Sequence, residues 1–315
     1  MPLSDNLMTA NRDMTGYIHE EYIKSLSDFG SPVALAHCNG WILRRKIPGT
    51  NLYDAMGSYP LFCCNDWKKL HLDLEKVGDD LISVTIVTDP IGNYNEDILI
   101  RCFADLVKPF KEHFLIDLKV PLENHVDKNH LRNVRRSLLE VDVEKCEHHN
   151  KGLSDWISLY AKLIKRHNIT GIPAFSEKSF EKQFYVPGLH IFRASYRGET
   201  IGMLLWYVQG EVGYYHLGAY SEQGYKLRAS FPLFWFAIDW FKKKGLPWLN
   251  LGAGAGATND GSDGLTRFKK GWATTTRINY LCGRIFNMNK YLELSQSKNR
   301  SCINYFPAYR AGEFK

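Results

Sequence analysis

No apolar stretch in this sequence is long enough to cross a bilayer. The longest, Ala229 to Phe241, carries Asp239 and reaches only about two thirds of the length a spanning helix needs. The opening residues, MPLSDNLMTANRDMTG, hold no apolar core, so a secretory signal is not expected. Cysteine is sparse and unpatterned: the seven residues form no CxxC pair and repeat no spacing. Neither a disulfide framework nor a zinc site is therefore expected, and a reducing, cytoplasmic setting fits. Cys63 and Cys64, adjacent after an apolar strand, read as buried structural residues. Cys146, His148 and His149 lack a second cluster at ligand spacing, so they read as a solvated strand end and no bound metal is expected. There is no GxSxG elbow, Walker loop, HExxH or nucleophilic-cysteine signature, which weighs against hydrolases and NTPases. No heptad run marks a coiled-coil arm.

What is present is ordinary globular material. Over 315 residues, 44% hydrophobic and 23% charged, there is enough apolar side chain for two cores of roughly 150 residues each. The net charge of +6 favours anionic partners such as phosphates, nucleotides, RNA or an anionic membrane surface without choosing among them. DNA is not among the expected partners.

The organisation repeats. After a helical lead-in at residues 1–30, PVALAHCNG and GWILRRKIP flank an Asn39-Gly40 turn, a strong hairpin signal. A third strand, NLYDAMGSYP, precedes the amphipathic helix WKKLHLDLEKVGDD with Asp66 as its cap, then the strand LISVTIVTDP and a second helix near residues 95–112. Further on, LHIFRASYRG, ETIGMLLWYVQ and EVGYYHLGAYS read as three strands with turns at Arg197-Gly198 and Gln209-Gly210. A helix from about Ser230 to Lys244, the strand PWLNLG, a glycine-rich loop, a short helix and the strand RINYLCGRIF complete this half. LYDAMGSYP aligns with YYHLGAYSE at a spacing of roughly 160 residues, which suggests a duplicated α/β unit. The expected division is 31–140 for a first, degenerate domain, 141–290 for a second, catalytic one, and 291–315 for a tail. Between the halves, PLENHVDKNHLRNVRRSLLEV reads as one helix with Lys128, Arg132, Arg135 and Arg136 on a basic stripe, and GLSDWISLYAKLIKRH as another helix.

Several segments could carry chemistry. The loop LGAGAGATNDGSDG, with Gly252, Gly254 and Gly256, would leave backbone N–H groups free to meet an anion. Gly252, Gly254 and Ala257 satisfy GxGxx(G/A), but the long helix and the distal acidic residue of a dinucleotide site are missing. In the next helix Arg267, Lys269 and Lys270 put three cations within four residues beside Phe268 and Trp272. They form either a solvated face or an arrangement that aims one lysine at a developing oxyanion. Asp263 is placed to cap that helix. On the strand EVGYYHLGAYS a period of two groups Tyr214, His216, Gly218 and Tyr220 on one face, opposite Tyr215, Leu217 and Ala219. His216 reads either as a general base or as a hydrogen-bonded core histidine. ASFPLFWFAIDWF is apolar nearly all round, suited to burial between layers or to a membrane surface.

HLRNVRRSLLEVDVE, YHLGAYSEQGYKLRASFPLFWFAIDWFKKKG, LNLGAG and DGLTRFKKGW, in that order, resemble the GNAT-type transferases of the Fem family of peptidyltransferases and the BioF2-like acetyltransferase domains. The resemblance covers roughly residues 113–290, and more loosely the whole chain. It implies a mixed α/β (α+β) fold of two tandem GNAT-like units, each a mostly antiparallel twisted sheet flanked by helices. It also implies transfer of an acyl or aminoacyl group, from acyl-CoA or aminoacyl-tRNA, to an amine such as that of a cell-wall precursor. No bound cofactor is implied, acyl-CoA being a co-substrate. Lys269 matches the lysine that family members place near the reacting groups, where it stabilises the tetrahedral intermediate. Where acyl-CoA-binding members carry (Q/R)xxGx(G/A), this chain has Gln223-Gly224-Tyr225-Lys226-Leu227-Arg228, with Lys226 in the place of a glycine. The expected site comprises Lys269, His216 and Tyr220 for catalysis, with Gly252, Gly254, Gly256, Arg228, Arg267, Lys270, Arg135 and Arg136 for donor or substrate. A non-catalytic protein that binds a nucleotide-linked or RNA ligand is the alternative, and peripheral contact with a membrane remains open.

Overall fold

The computed structural model describes residues 14–147, 149–254, 263–297 and 305–313. In chain order the strands are β1 (Ser31–Leu35), β2 (Gly40–Lys46), β3 (Tyr53–Gly57), β4 (Ser83–Val87), β5 (Leu106–Asp117) and β6 (Asp142–Lys145). They continue with β7 (Leu189–Tyr196), β8 (Glu199–Gln209), β9 (Val212–Tyr220), β10 (Trp248–Asn250) and β11 (Thr275–Ile285). The chain divides into two compact units. The first comprises Tyr17–Phe110, Thr170–Pro173 and Ile278–Lys315, the second Met1–Gly16, Lys111–Ile169 and Ala174–Arg277.

The two units share one strand logic. In the first, β1, β2 and β3 form an antiparallel meander, β4 joins β3 in parallel with Ala55 opposite Val84, and β11 closes on β4 antiparallel with Leu281 opposite Val87. In the second, β7, β8 and β9 are the meander, β10 joins β9 in parallel with Asn250 opposite Tyr214, and β5 closes on β10 antiparallel. β6 adds an edge strand beside β7. The third and fourth strands of each unit are parallel, so a helix must connect them. Leu70–Val77 does so in the first unit and Ser230–Lys243 in the second. The expected duplicated α/β unit is therefore present as a repeated topology.

Local chemistry accounts for most elements. The β1–β2 hairpin turns at Asn39, whose φ of 52° is a left-handed conformation that asparagine tolerates. Asp66 accepts from the Lys68 N–H at 3.1 Å and caps the 3-10 turn that leads into Leu70–Val77. Helix Ser230–Lys243 lays Leu233, Phe234, Ala237, Ile238 and Phe241 on the second unit's sheet, all at most 1% exposed, against Leu204, Trp206, Leu249 and Trp272. Each such side chain contributes roughly 1.5–3 kcal/mol of burial, so this face is core. Among the described residues no helix is long and apolar enough to cross a membrane.

Three expectations need revision. The helix near 95–112 ends at Cys102, and Leu106–Asp117 is strand β5 instead. Pro109 would break a helix interior there. The single helix over 121–141 is two, Leu122–His125 and Lys128–Ser137, because Asp127 leaves helical geometry to cap the second through the Asn129 and His130 N–H groups. The third concerns β9. Leu204 pairs with Gly218 and Leu205 with Leu217, yet Trp206 pairs with Tyr215, so His216 is an extra residue in a bulge. The bulge breaks the period of two. Tyr214 and His216 face one way, whereas Gly218 and Tyr220 turn to the face of Tyr215, toward Leu204, Gly202 and Leu233.

The first unit's core is tied by a buried ion pair. Arg310 and Asp54, both 4% exposed in their side chains, meet through Nε at 2.7 Å and Nη2 at 2.8 Å, and Arg310 also donates to the Lys46 carbonyl at 3.0 Å. Removing one partner strands a buried charge, which costs about 3–5 kcal/mol, against about 0–1 kcal/mol for an exposed pair. In denaturant unfolding, Arg310→Ala is expected to lose stability on the first scale and Lys243→Ala, which breaks the exposed pair with Asp239, on the second.

Candidate functional site

The residues that can do chemistry converge where β10 ends. Lys269 lies on the helix Gly264–Lys270, which Asp263 caps by accepting from the Thr266 N–H at 2.9 Å. Phe268 and Trp272 pack into the aromatic core of the second unit and fix the helix's rotation. His130 holds its end through Nε2 and the Phe268 carbonyl at 2.9 Å. Lys269 is thereby turned inward while Arg267 and Lys270 stay exposed.

The Lys269 side chain is only 5% exposed. Its Nζ donates to the Ala253 carbonyl at 2.6 Å and stands 5.5 Å from the Tyr215 ring centroid. Gly252 makes this approach possible: its φ of 76° suits glycine, and a Cβ there would come within 3.1 Å of Nζ. Burial pushes the Lys269 pKa down to about 7, the cation of Lys111 pushes the same way, and Asp263 opposes both. Lys111 on β5 is itself lowered by burial, again against Asp263. The result is an electropositive site in which one amine titrates near neutrality.

Asn250 and His113 complete the group. Asn250, 2% exposed, accepts through Oδ1 from the Gly252 N–H at 2.8 Å and lies 3.1 Å from His113 Nδ1. A backbone N–H can only donate, so the amide orientation is fixed and Nδ2 points away from both. Among the described residues that Nδ2 is buried without a hydrogen-bond partner, a cost of about 1–3 kcal/mol unless something occupies its acceptor position. Burial, against the Asn250 hydrogen bond, holds His113 down to about 4, with Lys269 and Lys111 adding to the shift. His113 is thus neutral, and its Nδ1–H supplies the second bond to Oδ1.

The other expected residues fall in different places. His216 is 8% exposed, bonded through Nε2 to Gln183 Oε1 at 3.1 Å and packed against Tyr207 at 5.0 Å between ring centroids. Burial pushes its pKa down to about 3. It lies on the opposite face of the sheet from Tyr215, so the structure does not bring it to Lys269. Tyr220 shares the Tyr215 face, 5.6 Å from the Tyr225 ring, and burial raises its hydroxyl pKa well above the ordinary value. Gly254 packs where a Cβ would strike the Thr266 hydroxyl. Gly256, Ala257 and His148 lie outside the described residues. Arg228 is exposed and donates to Asn133 Oδ1 on helix Lys128–Ser137, the helix that also carries the exposed Arg135 and Arg136. Lys111, His113, Tyr215 and Asn250 were not expected. The readable signal was Asn250, a lone polar residue inside PWLNLG. Among the described residues no three metal-ligating side chains cluster. A cavity of about 430 Å³ lies elsewhere, in the first unit, lined by Ile42, Arg44, Asp73 and Leu81 among others.

A lysine whose folded pKa is depressed from 10.5 to about 7 carries a penalty for its charged form. Below pH 7 the folded and unfolded chains are both protonated and the penalty is complete. It fades as the pH rises toward 10.5, where both are neutral. Lys269→Met is therefore expected to raise the melting temperature most at pH 6–7, with the gain shrinking in alkali, as thermal unfolding across pH will show.

No curated protein matches the sequence significantly. Residues 127–270 match the acetyltransferase (GNAT) domain family. The fold is similar to that of FemX, with a TM-score of 0.67 at 13% identity over 93% of this chain and 98% of that one. It is also similar to L-PGS from Bacillus licheniformis, with a TM-score of 0.54 at 16% identity over 84% of this chain and 91% of that one. A third likeness is to the C-terminal domain of a protein assigned as a lysylphosphatidylglycerol synthetase from Agrobacterium fabrum, with a TM-score of 0.61 at 12% identity over 88% of this chain and 90% of that one. Residues 127–270, which include the buried Lys269, thus match a GNAT acetyltransferase domain, and the fold over most of the chain is similar to that of FemX.

Proposed function

We propose that this chain transfers an acyl or aminoacyl group from an activated donor to an amine, in the cytoplasm, by direct attack and without a covalent enzyme intermediate. The observation that carries the reading is Lys269, a buried amine at the end of the parallel β9–β10 pair whose protonation changes near neutral pH. The acceptor nitrogen attacks the donor carbonyl carbon and the C=O electrons move onto oxygen; the amine proton leaves to water, the carbonyl re-forms, and the donor's sulfur or oxygen departs with its bonding pair and takes a proton from water. Protonated Lys269 donates a hydrogen bond to the oxygen on which charge builds. In a site this dry such a donor contributes several kcal/mol. Asn250 Nδ2 is a second donor available to a substrate oxygen.

Two observations favour an aminoacyl donor over acyl-CoA. In the turn after β9 the N–H groups of Gly224, Tyr225, Leu227, Arg228 and Ala229 are all bonded within the turn, so a pyrophosphate would have to displace them. Gly224 is required there by packing, since a Cβ would run into the Ile201 carbonyl oxygen. The names of the lysylphosphatidylglycerol synthetase neighbours also concern aminoacyl chemistry. The acceptor class proposed is an amine-bearing cell-wall precursor.

The test is to offer the purified full chain labelled aminoacyl-tRNA and labelled acetyl-CoA, each with amine acceptors. Consumption of neither donor would sink the proposal. Lys269→Ala is expected to lower kcat/KM by about 10²–10³-fold. Because the working form is the cation, kcat/KM should fall as the pH rises through about 7, and Lys269→Arg should carry that fall to higher pH. Activity that climbs through pH 7 instead would make the lysine a base.

A further inference from the structure

We infer that the outward face of helix Lys128–Ser137 and the turn that follows it dock the protein on an anionic phospholipid bilayer. The argument is independent of the transfer reaction and begins from spacing. Lys128, Arg132, Arg135, Arg136 and Leu139 recur at three to four residues and so share one side of the helix and its last turn. All five are exposed. Leu139 is 83% exposed and Leu138 beside it 49%, two adjacent leucines bared at the end of a cationic stripe. Arg228, anchored on Asn133, adds a further cation at the flank. The exposed Glu140 and Asp142 bound the patch on its far side.

The face cannot turn inward, because the opposite side is seated. Val134 is 4% exposed in the core, Ser137 Oγ donates to the Leu227 carbonyl at 2.7 Å, and His130 is bonded to Phe268. A rigid helix presenting guanidinium groups beside bare leucines matches an interface in which phosphates lie above acyl chains: arginine pairs with the former and leucine enters the latter. A polyanion such as RNA would engage the arginines and leave the leucines in water. The aromatic helix Ser230–Lys243, the segment whose sequence most invites a membrane, buries Leu233, Phe234, Ile238 and Phe241 in the core and packs Phe231, Trp235, Phe236 and Trp240 partly against it, so none of its large apolar side chains is bared as Leu139 is.

The test uses the full chain with two kinds of vesicle, phosphatidylcholine alone and phosphatidylcholine mixed with phosphatidylglycerol, in a flotation assay. The chain is expected to float with the anionic vesicles only. Leu138→Gln with Leu139→Gln, and separately Arg135→Gln with Arg136→Gln, should each abolish flotation while leaving the melting temperature unchanged. Leu139→Gln alone serves if the double variant is poorly folded. The proposal is overturned if the wild type stays at the bottom with anionic vesicles. It is also overturned if the leucine variants float like wild type, or if labelled tRNA binds with sensitivity to the arginines alone while flotation is absent. These outcomes are read without turnover, so they are separable from failure of the transferase reading.

Discussion

An amine held out of water, with a backbone carbonyl as its hydrogen-bond acceptor, is the constraint around which the second unit is arranged. Lys269 tolerates burial because Ala253 O accepts its hydrogen bond and because a nearly neutral pKa spares it a full charge. Everything adjacent follows from that placement. Phe268 and Trp272 set the helix's rotation, Asp263 starts the helix, and Gly252 leaves room for Nζ. Asn250 then ties the strand end to His113, and the group becomes a pre-set cradle.

The same strand logic in the first unit leads to different chemistry. After β4 the chain places Thr88 and Tyr94 in a hydroxyl pair at 2.7 Å, and Tyr94 packs on Trp67. No lysine is delivered to that strand end among the described residues. The repeated topology therefore supplies two frames, which differ in the side chains at the ends of β4 and β10. The GNAT match to residues 127–270 falls on the frame that has the lysine.

Much of this was legible in the chain. Asn39-Gly40, the alternating strands of the 189–220 meander and the Asp263 cap all express local rules that tertiary packing reinforces. Lys269 was singled out by the resemblance to the Fem family, its basic, aromatic context alone not choosing among Arg267, Lys269 and Lys270. What escaped was non-local. Reading 95–112 as helix hid the alternation that puts Lys111 and His113 on one face of β5. The bulge at His216 depends on pairing with β8, which no property of β9 alone reveals. Burial of Lys269 likewise depends on a carbonyl 16 residues away in sequence. Composition can show that a lysine exists, but not that its ammonium group will be dry.

The path of the chain carries a practical consequence. The closing strand of each unit is reached only after the chain has built most of the other: β5 follows helix Glu96–Cys102 of the first unit, and β11 follows helix Gly264–Lys270 of the second. No single nick or truncation can liberate either unit with all its strands. Fragments for separate expression would have to be rewired, with the borrowed strand spliced back on through a new loop. Protease digestion should accordingly be a poor guide to this protein's modules, because the pieces that separate in sequence are not the pieces that pack.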